Sequence, residues 1–215
     1  MDIKVTKLTD LSLLQKVNSF TTGRESKMDL AKAYRLGHSP IRTQIFLVEL
    51  YDAPAFVVGH LVRHIHAIPF VQSKRTDRGG EDFREVCADL AKEVETNCLL
   101  LYEDQRNEAD KCIADEIRSL SDRFDRYAPQ SMALLLNAEE IINISRKRIC
   151  AKASAETREI CEAVIDKVSE CDPDLAKHCV KPCVHCGFCR EAKPCGFMKT
   201  DAYSRQREDY LRLFE

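Results

Sequence analysis

The sequence lacks a long apolar run, and it lacks an excess of charge of either sign. No stretch of the 215 residues approaches roughly eighteen consecutive apolar residues, the length that a membrane helix requires. The first residues, MDIKVTKLTDLSLL, do not contain the apolar run of a signal peptide. The formal net charge is only −2, which gives no reason to expect nucleic-acid binding. We therefore expect a cytoplasmic protein with no membrane span and no nucleic-acid partner.

What remains is an ordinary globular composition with an unusual number of thiols. Apolar residues make up 44% of the chain and charged residues 32%, so the chain is long and apolar enough to bury one sizeable core. There are eleven cysteines. A reducing compartment disfavours disulfides, so metal binding or burial must account for them.

The first fifty residues predict a strand, helices and a second strand. A short strand and a helix are expected within 3–17, with Asp10 or Ser12 as the N-cap. The hydroxyl-rich segment 19–27 predicts a loop. A helix over 28–36 should end at Gly37, which suits a C-cap. A strand over 43–50 is apolar on both faces, which is typical of a central strand.

Residues 53–80 predict a helix that leads into a cationic loop. Pro54 suits the first turn of a helix, and Val57, Val58, Leu61 and Val62 form one apolar stripe. The residues that follow include a set of cationic and hydroxyl side chains: Arg63, His64, His66, Ser73, Lys74, Arg75 and Arg78. Such a set can bind an anion bidentately, and it can equally be a solvated basic loop beside a core helix.

The rest of the chain up to residue 168 is mostly helical in pattern. Amphipathic helices are expected over 81–101 and 107–124, and a short apolar link over 131–136. Further helices should follow from Asn137. Asn137 and Arg148 are eleven positions apart, about three helical turns, so we expect them on one side of a helix.

Two motifs resemble those of the flavin-dependent thymidylate synthases. That family carries R-H-R-x-x-S-x-N-E-x-S-x-R, and here Arg63, His64, Ser73 and Arg75 stand in the matching places. The other four signature positions differ, being occupied by Ile65, Ile68, Phe70 and Val71.

The second motif of the family is N-A-R, an arginine eleven residues after the asparagine, and A-Q-x-E-I-R. This chain has Asn137-Ala138-Glu139, Arg148, and Ala153 to Arg158 without a gap. Glu139 replaces the arginine of the family.

The resemblance implies a fold, a reaction and a site. The fold would be α/β (α+β), a small antiparallel sheet flanked by long helices, and the active form a homotetramer with sites shared between subunits. The reaction would be transfer of a one-carbon unit from methylenetetrahydrofolate to C5 of dUMP, with FAD and NADPH supplying the electrons. Arg63, His64, His38 and Asn137 would bind the flavin. The resemblance places Ser73, Lys74, Arg75, Arg148, His60 and Arg126 on the nucleotide, with Arg148 and Ser73 as the catalytic pair.

Two alternatives stay open at this point. The divergent signature is similar to that of short bacteriophage homologues, so the product could be hydroxymethylated and the substrate dUMP or dCMP. The loss of four signature residues also allows a non-catalytic nucleotide-binding or assembly protein. Flavin bound to the purified protein would favour the enzyme over this non-catalytic alternative.

A cysteine-rich tail follows the region of resemblance, and we divide the chain into a catalytic domain, 1–175, and this tail, 176–215. Cys183, Cys186, Cys189 and Cys195, with Cys179 as an alternate, predict a closed structural zinc site. An iron–sulfur cluster and metal-free thiols are the alternatives. The remaining cysteines are expected to be buried: Cys87, Cys98, Cys112, Cys150, Cys161 and Cys171.

Overall fold

Four strands form one small antiparallel sheet in the order β1-β2-β4-β3. The strands are β1 (Asp2–Lys7), β2 (Ile45–Pro54), β3 (Ile68–Val71) and β4 (Pro129–Asn137). The structure is a computed structural model, and it describes residues 1–73, 89, 92, 115–116 and 128–215. The predicted fold class, a mixed α/β chain with a small antiparallel sheet, is confirmed.

Eight α-helices are defined within the described residues. They are α1 (Leu11–Thr22), α2 (Leu30–Leu36), α3 (Ala55–Leu61), α4 (Ala138–Arg148), α5 (Ala155–Cys171), α6 (Pro173–Ala176), α7 (Pro182–Cys186) and α8 (Asp201–Leu211). Short 3₁₀ turns lie at Ser39–Thr43, Phe197–Lys199 and Arg212–Phe214. No helix in the described ranges is both long enough and apolar enough to cross a membrane.

The described residues fall into two compact units. Residues of Asp2–Leu50, His60–Phe70 and Ala133–Glu215 form one unit, and those of Tyr51–Gly59 and Val71–Met132, with Met1, form the other. The core of the first unit lies between the sheet and helices α4 and α5. Its largest fully buried side chains include Phe46, Leu50 and Leu134.

The ends of α1 and α2 follow from their capping residues. Asp10 has extended backbone dihedrals and accepts hydrogen bonds from the amides of Ser12 and Leu13, so of the two predicted candidates, Asp10 and Ser12, Asp10 is the N-cap of α1. Gly37 ends α2 in the left-handed conformation at φ 62°, also as predicted. Helix α1 continues to Thr22, so the loop predicted from residue 19 begins only after that helix.

Three details of the sequence-based prediction are wrong. The helix predicted from residue 53 begins at Ala55, because β2 extends through Pro54. The segment 131–136, predicted to be a link, lies in β4, where apolar residues on both faces conceal the two-residue period. Val62, predicted to be buried, is 37% exposed. The helices predicted over 81–101 and 107–124 lie outside the described residues.

Asp172 joins three elements through one buried carboxylate. Its Oδ2 accepts from Lys7 Nζ of β1 at 2.6 Å and from the Tyr34 hydroxyl of α2 at 2.7 Å. Its Oδ1 accepts from the Leu175 amide at 3.1 Å and thereby caps α6. A buried carboxylate needs such partners, because desolvation of an unpaired charge is costly.

Candidate functional site

Asn137 stands at the junction of β4 and α4. Its backbone is extended, and its side-chain oxygen accepts from the Glu140 amide at 2.9 Å, so it is the N-cap of α4. The next amide, that of Ala138, donates to the Gln44 carbonyl at 2.9 Å and fixes the start of the helix. The predicted helix between Asn137 and Arg148 is confirmed, with Asn137 as its cap.

Arg148, the last residue of α4, joins the two motifs found in the sequence. Its Nε donates to His64 Nε2 at 3.1 Å, and its Nη2 donates to the His60 carbonyl at 2.8 Å. The His60 carbonyl lies in the last turn of α3, where carbonyls lack intrahelical partners and favour a cation. One guanidinium therefore ties the end of α4 to the end of α3.

His64 is buried between Arg148 and Glu140. The residue is 6% exposed, and its Nδ1 lies 3.3 Å from Glu140 Oε1. Because Arg148 can only donate, Nε2 must accept, which assigns the ring proton to Nδ1 and makes it the donor to Glu140. This tautomer leaves the imidazole neutral.

Burial and charge both keep His64 neutral. Burial lowers the pKa of His64 to about 4, and the cations of Arg148 and Lys147 act in the same direction. Burial also raises the pKa of Glu140. We refer to Glu140, His64 and Arg148 as the buried triad. It holds the guanidinium of Arg148 at a defined point beside a neutral imidazole.

A second hydrogen-bonded chain supports α3 from α5. His60 Nδ1 shares a hydrogen bond of 3.0 Å with the Thr157 hydroxyl, which accepts from the Ser154 hydroxyl at 2.8 Å. Ser154 is also the N-cap of α5 and accepts from the Thr157 amide. Neither Ser154 nor Thr157 was predicted as part of the site, although a serine directly before an amphipathic helix is an N-cap signal.

Glu139 pairs with an arginine that the sequence analysis also missed. Arg42 donates through Nε and Nη2 to the two carboxylate oxygens of Glu139, with Nη2 at 3.3 Å from Oε1. Arg42 belongs to the 3₁₀ turn Ser39–Thr43 that follows His38. Glu139 replaces an arginine of the family, but Arg42 still supplies a guanidinium beside this position.

The other predicted site residues are distributed differently. His38 and Arg63 are exposed, and both belong to the unit that holds the buried triad. Ser73 is partly exposed and belongs to the other unit. Lys74, Arg75 and Arg126 lie outside the described residues, so their placement on the nucleotide stays a prediction.

The cysteines of the tail are only partly buried. Cys183, Cys186 and Cys189 are intermediate and Cys195 is exposed, whereas the alternate Cys179 is 6% exposed. In the part of the chain that the structure describes, no three Cys, His, Asp or Glu side chains lie close enough together to hold a metal ion as they stand.

Burial of the remaining cysteines was predicted correctly only in part. Cys161 is buried, and burial raises its pKa to about 12. Cys171 is exposed and Cys150 intermediate, so the prediction of burial is wrong for these two. Both follow or end a helix, where the period of the helical face no longer decides burial. Cys87, Cys98 and Cys112 lie outside the described residues.

Comparison with solved structures identifies the fold. Two crystal structures of thymidylate synthase X (ThyX) from Helicobacter pylori with FAD and dUMP match 84% of this chain and 100% of their own, at 18% and 17% identity and TM-scores of 0.55 and 0.56. The chain has the fold of the flavin-dependent thymidylate synthases. A UMP/dUMP methylase, PolB from Streptomyces cacaoi with 5-Br dUMP, matches 82% of this chain and 94% of its own at 18% identity and a TM-score of 0.46.

Comparisons at the level of sequence add nothing to this. No sequence family matches the chain, and no curated protein does. The thymidylate synthase fold therefore rests on the structure. Within this fold, Arg63-His64 and Asn137 to Arg148, two separate pieces of sequence, are joined through the contact of Arg148 with His64.

Proposed function

We propose that this chain is a flavin-dependent enzyme that transfers a one-carbon unit from methylenetetrahydrofolate to C5 of dUMP, with NADPH as the reductant. The observation that carries the proposal is the buried triad, in which Arg148 joins both motifs of the resemblance. ThyX from Helicobacter pylori, which has a similar fold, was crystallised with FAD and dUMP. This supports the choice of ligands.

The segment after α3 and the strand β3 have the chemistry to hold a flavin. Arg63 is exposed, and so are three apolar side chains that follow it in sequence, Ile65 and, in β3, Ile68 and Phe70, at 87%, 53% and 58%. A flat aromatic ring with an anionic diphosphate can use both kinds of group, because exposed apolar side chains bind the ring and a guanidinium binds phosphate. The flavin, when bound, supplies the hydride for the reaction.

Arg148 is the residue that we assign to the pyrimidine base. Two of its N–H groups donate to His64 and His60, and the side chain remains partly exposed. Its other N–H groups can donate to a carbonyl oxygen of the base and stabilise negative charge that develops there. His64 does not itself offer a ring nitrogen, since both are occupied, so we assign it and Glu140 as positioning residues.

The remaining assignments follow the resemblance. Ser73, Lys74 and Arg75 bind the nucleotide phosphate, with His60 and Arg126 as further nucleotide contacts. Asn137 uses its side-chain oxygen as a helix cap, so we assign its side-chain N–H groups to the flavin. We propose that the sites are completed across subunits of a homotetramer.

A variant reaction on the same site is favoured by one observation. Phe70 and Val71, which replace the asparagine and glutamate of the family, are 58% and 42% exposed. The ligand-facing surface is more apolar there, which suits a different pyrimidine or product. Hydroxymethylation of dUMP or dCMP is therefore the second candidate.

The test is single turnover without oxygen. The protein is loaded with FAD and reduced with NADPH, then mixed with dUMP and methylenetetrahydrofolate, and the nucleotide is analysed by mass. We expect the flavin to reoxidise as a methylated nucleotide forms; a hydroxymethylated product, or reaction of dCMP instead of dUMP, would establish the variant. Nucleotide binding without any flavin binding would replace the enzyme with the non-catalytic binding protein.

Arg148→Lys connects that test to the geometry. A lysine ammonium cannot reproduce the two diverging hydrogen bonds to His64 and the His60 carbonyl. Losing a hydrogen bond of a charged group costs about 1.5–3 kcal/mol, so we expect turnover to fall roughly 10- to 100-fold while FAD still binds. Arg212→Lys, on an exposed C-terminal turn, is the matched control and should keep full turnover. Equal turnover in the two variants would remove Arg148 from the site.

A further inference from the structure

Four cysteines from three separate places in the sequence line one cavity. The cavity has a volume of about 250 Å³, and its wall includes Cys150, Cys183, Cys189 and Cys195. Cys150 follows the end of α4, Cys183 lies in α7, and the other two belong to the segment 187–196 after α7. The fold therefore places thiols from distant parts of the sequence around one cavity.

This set differs from the one that the sequence spacing predicts. Cys186, which the regular spacing includes, does not line the cavity, while Cys150, 33 positions before Cys183, does. Cys179 is also absent from the wall. It is buried elsewhere, with its Sγ 3.6 Å from the Leu175 carbonyl, and burial raises its pKa to about 11.

The segment 187–196 has little of its own to hold it in place. It contains no helix or strand, and the hydrogen bonds of the described residues include none that begins or ends within 188–195. Two side chains there, Phe188 and Cys195, are exposed. Short segments without a core are commonly fixed by a metal or a disulfide, and a metal is the choice where thiols stay reduced.

The charge around the cavity suits a thiolate cluster. Lys181, Arg190 and Lys199 line the same wall, against one carboxylate, that of Glu191. Four thiolates around a divalent ion carry a net charge of −2, which neighbouring cations stabilise. A bound divalent cation would itself favour the deprotonated form of the four thiols.

We propose that Cys150, Cys183, Cys189 and Cys195 are the four ligands of one zinc ion, with Cys186 outside the coordination sphere. Closed structural zinc sites use four ligands of this type in a tetrahedron. No three potential ligands among the described residues converge as they stand, so binding must draw the four cysteines that line the cavity closer together. Metal binding is commonly coupled to such local ordering.

The site would also fix the end of the helix that carries Arg148. Cys150 is two residues beyond Arg148, so a zinc ion on Cys150 would anchor this end of α4 to the tail. That consequence rests on the proposed function, whereas the ligand set does not. The experiment on the ligand set therefore uses no activity assay.

The first experiment compares two serine variants of the full chain. Wild type, Cys150→Ser and Cys186→Ser are expressed with zinc in the medium, and zinc, iron and acid-labile sulfide are measured per chain. We expect about one zinc in wild type and in Cys186→Ser, and at least a tenfold loss of zinc affinity in Cys150→Ser. Retention of zinc in Cys150→Ser with its loss in Cys186→Ser would overturn the ligand set. Iron with sulfide, or no bound metal after loading with Zn²⁺, would overturn the zinc site.

A second measurement needs no variant that could misfold. Wild-type protein is alkylated with and without a zinc chelator, and the modified cysteines are identified by mass. Zinc should protect the Cys150 peptide together with those of Cys183, Cys189 and Cys195, and leave Cys186 reactive. A protected Cys186 beside a reactive Cys150 would contradict the proposal. Replacement by Co²⁺ gives a third readout, since the intensity of its thiolate charge-transfer absorption rises with the number of thiolate ligands.

Discussion

Mild acid should destabilise this protein, and His64 should account for a measurable part of the loss. The unfolded chain has a histidine pKa near 6.5, whereas burial lowers the pKa of His64 to about 4. Between these values the unfolded chain binds a proton that the folded chain does not. The contribution to stability is complete above about pH 6.5 and is lost as the pH falls towards 4.

The size of this effect follows from the two pKa values. A single group with these values lowers the free energy of unfolding by about 2 kcal/mol between about pH 7.5 and about pH 5. The carboxylate of Glu140, 3.3 Å from Nδ1, would stabilise a protonated ring and oppose the change. The figure of about 2 kcal/mol is therefore an upper bound.

The assay is urea unfolding at several pH values, in wild type and in His64→Gln. Glutamine can accept from Arg148 and donate to Glu140, so it keeps the polar contacts of the buried triad but does not titrate. As the pH falls from about 7.5 to about 5, the free energy of unfolding of His64→Gln should decrease less than that of wild type. The difference between the two decreases should be up to about 2 kcal/mol. The comparison is needed because burial also lowers the pKa of His178 to about 4.

His38→Gln is the matched control, because it removes a histidine from an exposed turn. It should leave the pH dependence of wild type unchanged. Parallel curves for wild type and His64→Gln would refute the reasoning, since they would mean that His64 takes up a proton equally in the folded and unfolded chains.

Three further predictions concern stability. Asn137→Ala removes the cap on the Glu140 amide and should lower the free energy of unfolding by about 1 kcal/mol in urea unfolding, with Asn137→Asp restoring most of it; no loss would mean that the cap is replaced by water. A double-mutant cycle on Arg42 and Glu139 should give a coupling energy below about 1 kcal/mol that falls with salt, because the Arg42 side chain is 61% exposed; a larger, salt-independent value would contradict a surface pair. Leu134→Ala should cost about 2–5 kcal/mol by thermal or urea unfolding, because Leu134 is 2% exposed; a cost below 1 kcal/mol would place it outside the core.

Local signals predicted the parts of the fold that depend on local chemistry. Asp10 and Gly37 mark the ends of α1 and α2 because a cap acts on its nearest amides and carbonyls, which lie within a few positions in sequence. β4 was missed because its apolar residues occur on both faces, so no alternation distinguishes it from a link. Burial on both faces is set by the neighbouring elements, which the sequence does not display.

The candidate site was predictable only where residue type alone suggests a role. Arg148 and His64 stood out through the resemblance, but their contact brings together positions 84 apart, which only the fold reveals. Glu140 reads as one more charge on an amphipathic helix, and its role depends on its burial, at 4% exposed. Cys150 was missed as a candidate ligand because a sequence pattern indicates ligands that are close in sequence, and Cys150 lies 33 positions before Cys183.

The carboxylate of Asp172 limits how sequences with this fold can diverge. Lys7, Tyr34 and the start of α6 all depend on it, so losing the charge removes a strand contact, a helix contact and a helix cap in one step. A compensating substitution at one partner of Asp172 does not restore the contacts that the other two partners lose. Positions 7, 34 and 172 should therefore be kept or exchanged together among related sequences, and their covariation would trace this fold where overall identity has faded.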